Sequence, residues 1–437
     1  MVSFILYMVF IISYFLHLPA RFPGLGEMRF DFILMGMILL STIFVGIDIL
    51  RKQEKLKTMK FFLLLIAYII VTIPLVEWPG SVIRHGLENY SKVGMFFLFT
   101  ISIVDTEKKL RIFMFIFLVC QIFRVVEPAY LHITTGYWGD LAYSHKDGSL
   151  ISLNRLSGSP SDVVNPNQLA WVIVSIIPFM YYLAWQGNKT LKFVFLSVLP
   201  VLIYALMLTG SRSGLLSLFA VIIAIIILSE KKVMNIAIWA VIALPVFLII
   251  STYLSADLRE RYMSLFDPTV AGRDTAMGRL EGVKKDLATI FNKPLVGHGL
   301  GTSREVSANF LRGKAQITHN LYVETLQEIG LIGFVIFMQF IRTLFNSLTE
   351  AKKKLTEGMA SSDSFLIRLI LSIQAWVIMD LFYSLSCFGL SSWEWYLFGG
   401  VATVCLMLAK EYVNEAESVQ YPGVGHAVLS QSNGKAI

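Results

Sequence analysis

LKFVFLSVLPVLIYALMLTGSRSGLLSLFAVIIAIIILSE, residues 191–230, holds two apolar runs separated by a turn of a few residues. The first run carries one charge, Lys192, and the second none before Glu230. An α-helix rises about 1.5 Å per residue, so some 20 apolar residues cross a hydrocarbon core of about 30 Å. The stretch therefore predicts a transmembrane helical hairpin. Composition extends that reading to the whole chain, since 56% of its 437 residues are hydrophobic and 15% are charged. Soluble globular chains carry about 45–50% apolar and about 25% charged residues. The mean hydropathy is +0.67.

Working outward from the hairpin, twelve apolar blocks can be delimited: 3–20, 31–50, 60–78, 93–105, 110–127, 168–186, 191–209, 213–230, 233–254, 321–345, 365–386 and 393–410. The fold class expected is an all-α integral membrane protein of about twelve transmembrane helices. The block at 93–105 is short, which suits a tilted or internally buried helix. The first block has no basic leader and no clear small-residue cleavage site, and reads as a span rather than a signal peptide.

Alternate loops carry the positive charge. One set holds Arg51, Lys52, Lys55, Lys57, Lys60, Lys108, Lys109, Arg111, Lys189, Lys192, Lys231, Lys232, Lys352, Lys353 and Lys354. The short loops opposite hold only Arg21, Arg29, Arg84, Lys92 and Arg212, with none in 387–392. The positive-inside rule puts the first set and both termini in the cytoplasm. The net charge of +7 is accounted for by these orientation signals, so nucleic-acid binding is rejected. Cys120, Cys387 and Cys405 lie in or beside apolar spans and form no paired framework.

Two outside loops are long, 128–167 and 255–320, and loops above about 12–15 residues are usually functional or disordered. The second is expected to be partly helical, because 278–291 has Leu280, Val283, Leu287 and Ile290 near helical spacing. The organisation expected is 1–150 (the first five spans and the start of the first outer loop), 151–345 (a core with the outer loop 255–320), 346–412 (the last spans) and a disordered cytoplasmic tail at 413–437.

Four segments can carry chemistry. Thr209-Gly210-Ser211-Arg212-Ser213-Gly214 joins two spans on the outer face. Its amides and the following helix N-terminus make an anion site, and Arg212 adds a planar fork matched to phosphate oxygens. The competing reading is an arginine snorkelling beside turn glycines. Ser211 and Ser213 are grouped with Arg212 as substrate-binding residues. The second segment is 255–320, where Arg279 opens the amphipathic stretch and PLVGHGLG follows at 294–301. Arg279 is divided evenly between an anion ligand and a solvated charge, whereas His298 reads as part of a docking turn. The third is Thr318-His319-Asn320, followed by Glu324 and Glu328. Asn320 suits a helix cap, His319 a general base, and Glu324, one turn on, a group that orients it. In the fourth, Asn165-Pro166-Asn167 with Arg155 and Asp162 upstream, Asn167 reads as a helix cap, and the amides of Asn165 and Asn167 as sugar contacts. No metal-ligand spacing is present, and no metal or cofactor is expected.

Taken in order, NPNQLA at 165–170, TGSRSGLLSL at 209–218, the Arg279 segment with NKPLVGHGLG at 292–301, and HNLYVETLQEIGLIGF at 319–334 form a set. With these motifs the chain from about 150 to 345 resembles the O-antigen ligase and O-antigen polymerase superfamily of bacterial membrane glycosyltransferases. The first 150 residues match only in hydropathy. The resemblance implies a C-type glycosyltransferase fold in the bacterial inner membrane. It implies a glycan taken from undecaprenyl diphosphate on the outer face and passed to lipid A–core or another polysaccharide acceptor. It also implies that Arg212 and Arg279 hold the diphosphate and that His319 serves the acceptor. Such a reaction is expected to be metal-independent and inverting, with membrane lipids as surroundings. The outer loop and the His-Asn pair favour a ligase over a polymerase. A lipid-linked glycan transporter or flippase would place ionisable groups near the bilayer midplane instead.

Overall fold

The computed structural model describes residues 1–53, 56–140, 143–146, 149–152, 154–162, 164–229, 232, 254–267, 273–311, 318–358, 364–387 and 389–420, with backbone alone at 43–53, 143–146, 149–152, 273–280 and 415–420. In chain order the helices are α1 (Val2–Leu16), α2 (Phe30–Gln53), α3 (Lys57–Thr72), α4 (Leu87–Ile103), α5 (Glu107–Thr135), α6 (Pro166–Phe179), α7 (Lys189–Thr209), α8 (Arg212–Leu228), α9 (Ala256–Met263), α10 (Arg273–Ile290), α11 (Ser303–Phe310), α12 (Leu321–Glu357), α13 (Phe365–Tyr383) and α14 (Trp393–Gln420). Seven helices among the described residues are long and apolar enough to cross a membrane, and three shorter apolar helices accompany them. The chain is a multi-pass membrane protein. The block at 93–105 falls in α4, and the block at 233–254 lies almost wholly outside the described residues.

Several expectations need correction. The first outer loop starts later than expected, because α5 runs on to Thr135 before Gly136 ends it in a left-handed turn. Within that loop Tyr143–Lys146 (β1) pairs antiparallel with Ser149–Ser152 (β2), a short hairpin in an otherwise helical chain. The tail is helical as far as Gln420, and 421–437 lie outside the described residues. The loop 255–320 contains α9, α10 and α11.

Helix starts are set by local side chains. Thr106 caps α5 by accepting from the Lys109 amide, Asn188 caps α7 through Leu191, and Ser364 caps α13 through Ile367. Each satisfies an amide that the helix itself leaves without a partner.

Packing centres on α12 and α14, with α3 and α4 on one side and α6, α8 and α13 on the other. Because lipid is as apolar as a leucine side chain, helices associate here by close fit rather than by expelling water. Gly399 and Gly400 of α14 provide that fit. A Cβ at Gly399 would stand 2.8 Å from the Phe340 ring, and one at Gly400 would stand 3.2 Å from the Phe97 carbonyl. Phe62 stacks on Phe97 at 4.4 Å, and Phe340 on Tyr396 at 5.9 Å.

The helix directions gather the basic loops at one end. There Arg111 lies over the Phe365 ring, Thr58 bonds Ser347, Arg368 donates to the Gln186 carbonyl, and Lys410 pairs with Glu350. The opposite end holds the α7–α8 turn and the starts of α6, α12 and α14.

Candidate functional site

The α7–α8 connection is tight because Gly210 adopts φ +56°, a conformation that costs a side-chain-bearing residue strain. A Cβ there would also stand 2.7 Å from Leu258 of α9. Ser211 then caps α8, its hydroxyl accepting from the Gly214 amide at 3.2 Å and lying 3.3 Å from the Ser213 hydroxyl. Ser211 is fully buried, so its first role is structural.

Arg212 is the first residue of α8, half-buried, and its Nη1 donates to Ser264 Oγ at 3.0 Å. Two further arginines meet the same turn. Arg261 Nε donates to the Gly210 carbonyl at 3.3 Å. Arg155 Nε donates to the Thr209 carbonyl at 2.6 Å, and its Nη2 to Asn167 Oδ1 at 2.8 Å. The helix α9 is pinned over the turn by Tyr262, whose hydroxyl reaches the Leu206 and Met207 carbonyls. Three guanidinium groups thus surround residues 209–212 at a helix N-terminus.

Sequence reasoning singled out Arg212 but gave Arg155 only passing notice and Arg261 none. The signal for Arg261 was present in the buried pair Leu258 and Tyr262, one helical turn apart, which fixes the face that meets the hairpin. Arg155 sits in irregular chain, where no periodicity points inward.

At the start of α6 the assignment of the cap changes. Asn165, not Asn167, is the cap: its side chain accepts from the Asn167 and Gln168 amides, and Gln168 returns a bond to the Asn165 amide. Pro166 occupies the first helical position, where a missing N–H is harmless. Asn167 instead orients Arg155 through its side chain and accepts from the Tyr383 hydroxyl through its carbonyl. The side-chain oxygens of both residues are thus engaged within the chain.

Asn320 caps α12, accepting from the Tyr322 and Val323 amides while its Nδ2 donates to the Leu385 carbonyl. His319 precedes it and is exposed. Glu324 lies in the first turn of α12. It is buried, and its Oε2 accepts the Gly389 and Leu390 amides at 2.7 and 3.1 Å, holding the loop between α13 and α14. One turn on, Glu328 accepts from the Gly301 and Ser303 amides and from the Ser303 hydroxyl.

The glycine-rich loop docks into a break in α12. Gly330 takes φ +65° and ψ −175°, and the freed backbone pairs with the loop. The amides of His298 and Gly299 donate to the Gln327 and Glu328 carbonyls, and that of Leu331 to the Pro294 carbonyl. His298 is buried, its Nε2 3.1 Å from the Thr289 carbonyl and its ring between Trp78 and Phe310. Burial holds its pKa below the ordinary histidine value.

Arg279 lies on α10, and its side chain is outside the described residues. The later turns of α10 meet α12, with Gln327 donating to Thr289 Oγ1 at 2.9 Å. Asp286 meets Thr318, next to His319; burial pushes its carboxyl upward, opposed by that hydrogen bond. Arg279 precedes Asp286 by about two turns, so its backbone position shares that helix face. Among the described residues no group of three or more His, Cys, Asp or Glu can hold a metal.

Residues 195–338 match the family model described as O-Antigen ligase. This part of the chain is O-antigen ligase-like. No curated protein matches the chain. The ligase-like stretch covers about a third of the sequence, running from α7 through the hairpin turn, α8 and the loop helices into α12. It includes Arg212, Arg261, Arg279 and His319 and leaves out Arg155, Asn165, α13 and α14. Members of this family are glycosyltransferase-like enzymes.

Proposed function

We propose that this protein moves a glycan from undecaprenyl diphosphate to lipid A–core or another polysaccharide acceptor on the outer face of the bacterial inner membrane. The observation that carries the reading is the convergence of Arg155, Arg212 and Arg261 on the turn that starts α8. A lipid diphosphate leaves as an anion, and preorganised guanidinium groups with a helix N-terminus stabilise that charge as the glycosidic bond breaks. Arg212 and Arg279 are the diphosphate ligands in this account, with Arg155 and Arg261 shaping the turn and its field. His319, exposed beside Thr318, takes the proton of the acceptor hydroxyl. A single displacement inverts the anomeric centre. The basic loops lie at the opposite end of the bundle, which supports an exterior location for the arginine turn. Because the donor arrives already activated, the reaction draws on no nucleotide.

The test is transfer in proteoliposomes holding the purified protein, an undecaprenyl-diphosphate-linked glycan and lipid A–core. The expected result is transfer that persists in excess EDTA and inverts the anomeric configuration. Activity abolished by EDTA and restored by Mg²⁺ would show that a metal, not the arginines, carries the charge.

A further inference from the structure

We infer that a cavity beside the arginine turn is a subsite for a neutral sugar ring of the transferred or accepting glycan; for the class of ligand the inference rests on the proposed function. The cavity measures about 70 Å³ and lies between the start of α6, the end of α13 and the start of α14. Trp171, Asp380, Tyr383, Cys387, Ser392 and Glu394 are among the residues that line it. At about 10–15 Å³ for each water position, it has room for about five waters.

Its chemistry differs from that of the neighbouring turn. Asp380 is buried and its Oδ1 is held by the Trp171 indole N–H at 2.6 Å. The Glu394 carboxyl meets Ser392 and a backbone amide, but its Oε2 is buried without a hydrogen-bond partner among the described residues. A buried carboxyl oxygen left in that state costs free energy unless a ligand or water completes it. Sugar hydroxyls complete it, and an indole face offers the apolar surface that a pyranose presents. The two carboxyl groups disfavour a phosphate by charge and a lipid tail because an apolar chain would leave them without hydrogen-bond partners. Trp171, Cys387, Ser392 and Glu394 are each half-buried, so the cavity is open to entry.

The location links both halves of the site. Tyr383 donates to the Asn167 carbonyl, and Asn167 holds Arg155 against the hairpin turn. On the other flank, the Leu321 amide donates to the Ser384 carbonyl and Asn320 Nδ2 to the Leu385 carbonyl, joining the cavity wall to the residue after His319. A sugar here would sit between the diphosphate turn and the acceptor base.

Cys387 provides a native reporter, since Cys120 and Cys405 are buried. Purified protein in nanodiscs would be labelled with a water-soluble thiol reagent in the presence of glucose, galactose, N-acetylglucosamine, rhamnose or inorganic pyrophosphate. At least one sugar should slow Cys387 labelling by about threefold once it exceeds twice its dissociation constant. Pyrophosphate should not, and Glu394→Gln should lose the protection while labelling unprotected at the wild-type rate. Protection by no sugar, protection by pyrophosphate alone, or undiminished protection in Glu394→Gln would each overturn the inference. Sugar protection should persist in Arg212→Ala, so this measurement and the role of the arginine turn fail separately.

Discussion

Arg212 illustrates how much one residue type can say at one position. An arginine fork grips a diphosphate through paired hydrogen bonds that a lysine point charge cannot reproduce. Arg212→Lys is therefore expected to lose most of the transfer rate and Arg212→Ala nearly all of it, measured with protein inserted at equal level. His319→Ala should retain donor binding and lower turnover by about 10²–10⁴-fold. Wild-type turnover from His319→Ala would leave His319 as the residue before a helix cap. The place of Arg212 in a tight turn ahead of a helix was legible in the sequence because glycines and serines flank it between two apolar runs. The cap role of Asn320 was legible, whereas those of Ser211 and Asn165 were not, because a strong cap former is also a good ligand and Asn167 competed with Asn165; the capture of Asn167 by Arg155 needed three dimensions.

At the scale of elements, the least predictable feature is the break in α12. HNLYVETLQEIGLIGF reads as one continuous helix start, and only the docked glycine loop shows why Gly330 leaves helical geometry. A Cβ at Gly330 would stand 2.3 Å from the Leu295 carbonyl oxygen. Gly330→Ala should destabilise the docked loop by about 2–4 kcal/mol, through backbone strain and overpacking together. Limited proteolysis after 294–301 would report it, and wild-type resistance would refute the docking account. His298 adds a pH dependence. Its folded pKa lies below the unfolded value, so the unfolded loop binds the proton more readily. Its contribution is whole above the ordinary histidine pKa of about 6.5 and declines as pH falls through that value towards the lower folded pKa. Hydrogen exchange of the Gly297–Gly301 amides should therefore speed up, relative to intrinsic rates, on acidification, and His298→Asn should remove the dependence.

For the whole molecule, hydropathy was enough to recognise a multi-pass membrane protein, with seven helices among the described residues long and apolar enough to cross. Contacts at the two ends hold the bundle together, such as those of Lys410 with Glu350 and of Tyr383 with Asn167. What hydropathy could not reveal was the depth of the outer segments, because a cap residue and a sugar ligand look alike in one dimension. In a Cys387→Ser background, an impermeant thiol reagent applied to spheroplasts should label a cysteine at Arg279 and not one at Lys353. The reverse pattern would invert the topology and remove the arginine turn from the exterior. The most direct measurement of the central claim is the lipid-linked glycan pool in cells whose only copy is Arg212→Ala, compared with wild type at matched protein level. The account predicts that undecaprenyl-diphosphate-linked glycan accumulates while surface polysaccharide falls, because assembly continues after transfer stops; an unchanged pool with normal surface polysaccharide would contradict it.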